Sequence, residues 1–233
     1  MSVLTRPTLA AIVAASTVAA SASSALVAGW SITTAFPTGA GNVPTGNTYS
    51  VGVADQGAQT AGSSLSSFHA LAAATYTSPA GNGSQYAFSS NNWSIGDYYE
   101  ARVSTLGFND PISVSWDQAR SSTGPAAFEL IFSVNGGTTW NFVANYTVLQ
   151  SGGGGAPGTW SSSTYNALYT HSMNLVGAEN AAELIVRFRS TVAGAATGSN
   201  RIDNVSIFST AVPAPGAIAL LGVAGLVSGR KRR

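Results

Sequence analysis

The sequence predicts an all-β protein whose body is a single antiparallel β-sandwich of jelly-roll type. Apolar and polar residues alternate in short runs, which is typical of strands with one face in the core. Glycine, proline and asparagine interrupt these runs, and the 233-residue chain holds 26 Gly and 9 Pro. Many short strands with such breaks favour two packed sheets, with a closed barrel as the alternative.

The strands are predicted from this alternation in chain order. Ile112, Val114 and Trp116 alternate with serines, and the last strand directs Ile202, Val205 and Ile207 to the core after a local irregularity. A hairpin turn is expected at Asn135-Gly136-Gly137, because Asn and Gly tolerate the positive φ of such turns. The predicted strands cover residues 26–33, 49–54, 85–88, 98–105, 112–116, 128–134, 142–148, 168–175, 184–188 and 201–208.

Two segments of the body are less regular. Residues 63–74, rich in Ser and Ala, are expected to form at most a helical turn. Residues 150–157 include four consecutive glycines and are predicted to be a flexible surface loop inside the domain. We find no internal repeat and predict one domain, residues 26–211.

The N-terminal residues 1–25 are typical of a secretory signal peptide. Arg6 precedes a short apolar run, residues 8–20, and small residues follow at 21–25. Cleavage after Ala22 or after Ala25 suits the small-residue rule. The prediction is an exported protein that meets the secretion translocon and signal peptidase.

The C-terminal residues 212–233 combine a proline pair, a short apolar run and a basic cluster. The run at 216–227 is short, since about 20 apolar residues are needed to cross roughly 30 Å of hydrocarbon. The segment resembles a PEP-CTERM sorting tail, with Ala214 where the family carries Glu. Its motif residues are Val212, Pro213, Ala214, Pro215, Arg230, Lys231, Arg232 and Arg233.

This resemblance implies an exosortase-like processing protease as a partner, a short transmembrane helix, and a location in the bacterial cell envelope. The protein would be surface-associated or released, and at least transiently anchored in the membrane. The alternatives are a plain short C-terminal anchor or a chance apolar tail.

Charge and cysteine content exclude several classes of function. Between residues 26 and 211 there are five Arg and nine Asp or Glu, so the body carries a net charge of −4 and no Lys. Nucleic-acid binding relies on clustered Lys and Arg and is therefore not expected. The chain has no cysteine, which excludes disulfides, thiolate metal sites and cysteine nucleophiles.

The body also resembles a β-sandwich domain that is common in PEP-CTERM-tailed proteins of unassigned biochemical function. The resemblance is carried by residues 96–100, 112–117, 120–125 and 201–205. It implies a family without implying an activity.

A calcium site is suggested by a second resemblance. Ile202-Asp203-Asn204-Val205 is similar to the last strand of jelly-roll carbohydrate-binding modules, which implies that Asp203 helps to hold a structural calcium ion. Calcium takes six to eight oxygen ligands, so Asp203 would need backbone carbonyls and another acid, such as Asp55 or Glu100. The alternatives are that Asp203 pairs with Arg201 or caps a turn. No other cofactor is expected.

Tryptophans are the candidates for sugar stacking. Trp160 follows the glycine-rich loop and Trp93 lies among asparagines, so these two are predicted to be on the surface. Trp116 and Trp140 lie in or beside strands and are expected in the core.

Catalysis is not expected. His69 and His171 lie in no recognised catalytic motif, and the carboxylates Asp97 and Glu100 are interpreted as structural. The sequence favours a non-catalytic exported surface or matrix protein associated with exopolysaccharide. The alternative is a carbohydrate-binding module with a defined sugar site, and a glycoside hydrolase is the remote third choice.

Overall fold

The computed structural model describes residues 24–36 and 43–210, and this part of the chain is almost entirely β-structure. The predicted signal peptide, except for its last two residues, and the whole C-terminal tail lie outside the described residues. Within the described part, no helix has both the length and the apolar character needed to cross a membrane.

The described residues form thirteen strands and one short 3₁₀ turn, Ala167–Tyr169. The strands are β1 Ser24–Trp30, β2 Thr48–Gly52, β3 Ser64–Phe68, β4 Tyr76–Thr77, β5 Phe88–Ser90, β6 Tyr98–Val103, β7 Ile112–Arg120, β8 Ala127–Ser133, β9 Asn141–Thr147, β10 Leu149–Gln150, β11 Thr170–Leu175, β12 Leu184–Ser190 and β13 Asn200–Thr210.

The strands belong to two open sheets. The six-stranded sheet has the order β2-β3-β6-β12-β8-β9, and every neighbouring pair in it is antiparallel. The seven-stranded sheet follows β10-β7-β13-β5-β4, with β1 paired to β13 and β11 to β7. Neither sheet closes on itself, so the fold is a sandwich and the barrel alternative is wrong. The jelly-roll arrangement stays a prediction.

The core lies between the sheets and is built by the alternation that the sequence shows. Ile112, Val114 and Trp116 on β7 are fully buried, and Ile207 of β13 is the register partner of Val114. Phe188 of β12 is buried as well and pairs with Leu130 of β8 in the six-stranded sheet. Burial of such side chains contributes roughly 25 cal/mol per Å² of apolar surface, which makes this layer the main source of stability.

Local geometry confirms two of the predicted irregularities. Gly136 and Gly137 have φ angles of 69° and 85° in the turn between β8 and β9. In β13 the register shifts between Asp203 and Ser206, and Asn204 has a φ of 48°. This bulge aims the side chain of Asn204 away from the position that a regular strand would give it.

Other sequence predictions need correction. Residues 63–74 do not form a helical turn, because β3 runs through them and buries Leu65 between the sheets. The two-residue strands β4 and β10 were not predicted, since two residues are too few to show alternation. The 3₁₀ turn takes Leu168 and Tyr169 out of the predicted strand 168–175.

Candidate functional site

The candidate site is formed where a long segment leaves the seven-stranded sheet between β10 and β11. We call this segment, residues 151–169, the covering loop. It begins with the predicted glycine-rich stretch and ends in the 3₁₀ turn, where the Asn166 side chain caps the Leu168 N–H. The Tyr169 hydroxyl holds the loop by donating to the carbonyl of Gly158 at 2.7 Å.

A cavity of about 280 Å³ opens beneath the covering loop. Its lining consists of Ser151, Gly152, Gly158, Thr159, Trp160 and Arg201. Five of these six residues come from the loop, and Arg201 comes from the start of β13. The cavity therefore combines an adaptable backbone with one side chain fixed on a strand.

The indole of Trp160 is held in a defined orientation within this cavity. Its Nε1 donates to the carbonyl of Ala80 at 2.7 Å. The ring of Tyr169 meets it edge-on, with centroids 5.2 Å apart and planes at 79°. Trp160 remains half-buried, so part of the indole is available to a ligand.

Arg201 differs in its contacts from the other arginines of the described chain. Its Nε is buried without a hydrogen-bond partner, and its Cζ lies 5.9 Å from the Trp160 ring centroid, at the outer limit of a cation–π contact. Burial lowers the pKa of Arg201, while Tyr99 and Tyr169 act in the opposite direction. The described residues show no ion pair between Arg201 and Asp203, so that alternative for Asp203 is wrong.

Two buried acids lie on β7 and β13, on the face of the seven-stranded sheet that also carries Arg201. Asp203 of β13 and Asp117 of β7 are register partners and are 0% and 1% exposed. Asp203 Oδ2 accepts from the Asn82 N–H at 2.7 Å and from the Ser84 hydroxyl at 2.5 Å. Asp203 Oδ1 is buried and has no partner in the described chain.

Asp117 is fully engaged by neutral donors. Its oxygens accept from the side-chain amides of Asn82 at 3.0 Å and Asn204 at 2.8 Å, and from the Thr170 hydroxyl at 2.5 Å. Burial raises the pKa of Asp203 to about 7, and the charge of Asp117 adds to the rise, whereas hydrogen bonds from Ser84, Asn82 and Asn204 oppose it. Close carboxylates with one raised pKa are expected when both sit in a dry site.

The expected calcium ligands are not brought together. Asp55 binds Ser31, with the Ser31 hydroxyl donating to Oδ2 at 2.6 Å, and Glu100 lies on the six-stranded sheet between two arginines. The expectation that either acid joins Asp203 is therefore wrong. The described residues contain no group of three or more His, Asp and Glu side chains that could hold a metal.

The acid pair itself does not fit calcium. Asp203 Oδ1 is a free oxygen, but both amide nitrogens next to Asp117 donate to that carboxylate. Calcium requires six to eight oxygens, and N–H groups directed at the same carboxylate compete with a cation. The arrangement is that of a buried hydrogen-bond network that joins the 81–84 segment, β7, β11 and β13.

The predicted environments of two tryptophans, Trp93 and Trp140, need correction. Trp93 is only 2% exposed, donates from Nε1 to the Ser90 carbonyl at 2.9 Å and packs against Tyr99, so it cannot stack on a sugar. Trp140, expected in the core, is half-buried at the end of the β8–β9 turn. Trp116 is fully buried, as predicted.

The outer face of the six-stranded sheet also carries half-buried aromatic side chains, Trp140 and Tyr98. The guanidinium of Arg187 lies between the rings of Trp140 and Tyr98, 4.1 and 3.9 Å from their centroids. Glu100 accepts from Arg187 and from Arg102, each at 2.6 Å. Among the described residues of this face, Arg102, Arg187 and Arg189 are each paired with a carboxylate.

A Ser–His–Asp arrangement occurs in the core and was not foreseen from the sequence. His69 Nε2 lies 3.1 Å from the Ser90 hydroxyl, and His69 Nδ1 lies 3.1 Å from Asp97. The exposures of Ser90, His69 and Asp97 are 1%, 2% and 0%, so no substrate can reach the hydroxyl in this conformation. Asp97 also accepts the N–H groups of Ala70 and Ser94, which indicates a structural role in pinning these loops.

His171 and Glu100 are also structural. His171 stacks on Trp116 with centroids 5.1 Å apart, and burial lowers its pKa. Glu100 is 4% exposed and is held by two arginines, while Asp97 is bound to His69 on the other side of the sheet. These two carboxylates therefore do not face a common substrate position.

The chain matches no protein-family model and no curated protein sequence. Among solved structures it is similar to the K1 cleaved adhesin domain of Lys-gingipain from Porphyromonas gingivalis W83, with 15% identity, a TM-score of 0.41, and coverage of 77% of this chain and 95% of that one. It is also similar to TmCBM27, a carbohydrate-binding module described for mannan recognition, with 11% identity, a TM-score of 0.42, and coverage of 81% and 99%.

A third similar structure is TmCBM61 in complex with β-1,4-galactotriose. It shares 12% identity with a TM-score of 0.38, and the match covers 64% of this chain and 89% of that one. At these values the likeness is limited to the fold.

Proposed function

We propose that the β-sandwich is a non-catalytic carbohydrate-binding module and that the cavity beneath the covering loop is its sugar site. The observation that carries the proposal is the fixed, half-exposed indole of Trp160 in a cavity of about 280 Å³. Sugar rings present apolar C–H faces that pack on aromatic rings, and their hydroxyls bind polar groups such as those of Ser151 and Thr159. Ligand sites commonly combine an apolar surface with a few placed polar groups.

The contacts of the carboxylates support binding without catalysis. A glycosidase places two carboxyl groups on either side of a reachable glycosidic bond. The described residues that line the cavity include no Asp or Glu, and the acid pair of Asp117 and Asp203 is buried under hydrogen bonds. A sugar in the cavity would therefore meet no exposed acid and base.

The proposal is tested by binding of the purified full-length protein to a panel of soluble glycans, measured by calorimetry. Trp160→Ala is expected to weaken binding about 30-fold, the equivalent of about 2 kcal/mol for a central aromatic contact. Trp140→Ala is the matched control, because that ring lies on the opposite sheet against Arg187. Loss of binding in Trp140→Ala with full binding in Trp160→Ala would place the sugar on the other face and refute this site.

A second part of the proposal concerns export. Residues 1–25 would direct secretion, as their composition predicts. Residues 212–233 would direct sorting by an exosortase-like protease, as the resemblance to a PEP-CTERM tail implies, and the exported protein would associate with exopolysaccharide. Terminal-peptide and intact-mass analysis of protein from the host envelope and medium tests this. A form starting near Ser23 or Leu26 and ending near Pro215 supports processing, whereas an intact Arg233 found only in membranes means a plain anchor.

The jelly-roll arrangement belongs to the same proposal. Its support is the pair of open, mainly antiparallel sheets with their core between them. An experimental structure with the strand connections traced would decide it.

A further inference from the structure

We infer that the cavity beneath the covering loop binds acidic sugars, with the carboxylate of a uronic acid residue held by Arg201. This inference rests on the proposed sugar site and adds the chemical class of its ligand. It does not follow from the aromatic ring, since Trp160 would stack on neutral and acidic sugars alike.

The first observation is that Arg201 lacks the partners that the other arginines have. Arg102, Arg187 and Arg189 each bind a carboxylate at 2.6 Å. Arg120 donates to three backbone carbonyls at distances between 2.9 and 3.2 Å. In the described chain Arg201 has no such bond, and its Nε is buried without a partner.

An unpaired guanidinium in a partly dry position is unfavourable, because desolvation of the charge is not offset by a counter-charge. A bound carboxylate would remove this cost. The planar fork of arginine matches the two oxygens of a carboxylate and can bind them through two parallel hydrogen bonds.

The second observation is the position of the guanidinium. Arg201 and Trp160 line the same cavity, and the guanidinium carbon lies 5.9 Å from the ring centroid. A sugar ring packed on Trp160 could therefore present a carboxylate on its rim to Arg201. Since Arg201 is the second residue of β13, its backbone is fixed by pairing with Ser89 and Ala119.

The third observation is the absence of a competing acid at this point. Asp203 lies two residues further along β13, but its Oδ2 is engaged by Ser84 and Asn82 and it forms no ion pair with Arg201 in the described structure. The body as a whole carries −4, so its overall field does not attract polyanions. Binding of an acidic glycan would therefore depend on this one local cation.

The experiment compares polygalacturonate with the same polymer after full methyl esterification, using the purified full-length protein. The wild-type protein is expected to bind the acid form about tenfold to a hundredfold more tightly, as for a hydrogen bond to a charged group. Arg201→Gln should remove this preference, and Trp160→Ala should weaken binding to both polymers. Arg189→Gln, which removes an ion-paired arginine on the opposite sheet, is the matched control and should keep the preference.

The outcomes separate the inference from the proposed site. The inference is overturned if the protein binds both polymers with equal affinity, if this binding depends on Trp160, and if Arg201→Gln does not change it. The proposed sugar site would still be supported by that result. No binding of either polymer or of neutral glycans by the folded protein overturns both. Where Arg201→Gln does not fold, Arg201→Lys and the ester comparison in the wild-type protein decide the question. A preference for sulfated dextran with none for polygalacturonate assigns Arg201 to sulfate and also overturns the uronate inference.

Discussion

Replacing Asp203 by asparagine is expected to make the protein more stable at alkaline pH and to flatten the pH dependence of its stability. Asp203 is completely buried beside Asp117, and desolvation raises its pKa to about 7 from an ordinary value of 3.8. Between these two values the folded state binds a proton that the unfolded state has released. The stability contributed by the protonated acid is therefore fully present below about pH 4 and is lost as the pH rises through 7.

The size of the effect follows from the shift. One pKa unit corresponds to 1.36 kcal/mol, so a rise from 3.8 to about 7 removes about 4 kcal/mol of unfolding free energy between pH 4 and pH 8. This is a large part of the roughly 5–15 kcal/mol that stabilises a typical domain. Asparagine keeps an oxygen to accept from Asn82 and Ser84 and carries no charge, so the variant avoids this loss at a cost of about 1 kcal/mol for an amide without a partner.

The assay is urea denaturation of wild-type and Asp203→Asn protein at pH 5, 6, 7 and 8 in the presence of a chelator. Asp110→Asn serves as the control, since Asp110 is a half-buried carboxylate outside this network. The wild-type unfolding free energy should fall with pH while that of Asp203→Asn stays nearly level. A wild-type profile that rises from pH 5 to pH 8, or two parallel profiles, would refute the assignment of a neutral buried acid.

Three further predictions concern stability. Trp93→Ala should lower the unfolding free energy by about 3–5 kcal/mol, because it empties a fully enclosed site, and Trp160→Ala should lower it much less. Denaturant titrations measure both variants, and equal losses of unfolding free energy in the two would contradict the assigned burial. Glu100→Gln should lower the unfolding free energy by about 2 kcal/mol, because it weakens the bonds to Arg102 and Arg187. Glu179→Gln is the control, and the loss of unfolding free energy in Glu100→Gln should become smaller in high salt. A loss that does not depend on salt would argue against charge pairing. Calcium and chelator should give the same melting temperature in wild-type protein, since the acid pair does not fit the ion; a rise of several degrees with calcium that Asp203→Ala abolishes would establish the site.

Strand positions were largely predictable because alternation is a local property. On β7 the apolar residues at 112, 114 and 116 face the core simply because successive side chains of a strand point to opposite sides. The turn at Asn135 and the irregularity in β13 could be predicted for the same reason, since Gly and Asn mark positions with positive φ. The short strands β4 and β10 carry too few residues for such a signal.

The environment of the tryptophans could not be derived in this way. Trp93, in a polar stretch, is buried because residues from distant strands, such as Phe128 on β8, close over it. Trp140, beside a strand, remains half-exposed because its neighbour across the sheet is the guanidinium of Arg187. For a residue in a loop or at a strand end, burial depends on what packs against it and not on its local pattern.

The sequence by itself determined the all-β class, the position of most strands, the expectation of addressing segments at both ends and Trp160 as a candidate aromatic contact. Only the tertiary structure decided that Arg201 and Trp160 line one cavity. It also decided that Asp203 pairs with Asp117, and not with Asp55 or Glu100. The position of His69 between Ser90 and Asp97 likewise came from the tertiary structure. The physical reason is sequence separation. Asp203 and Asn82 are 121 residues apart, and such a contact is created by strand pairing and loop closure, which leave no periodic signal in the chain.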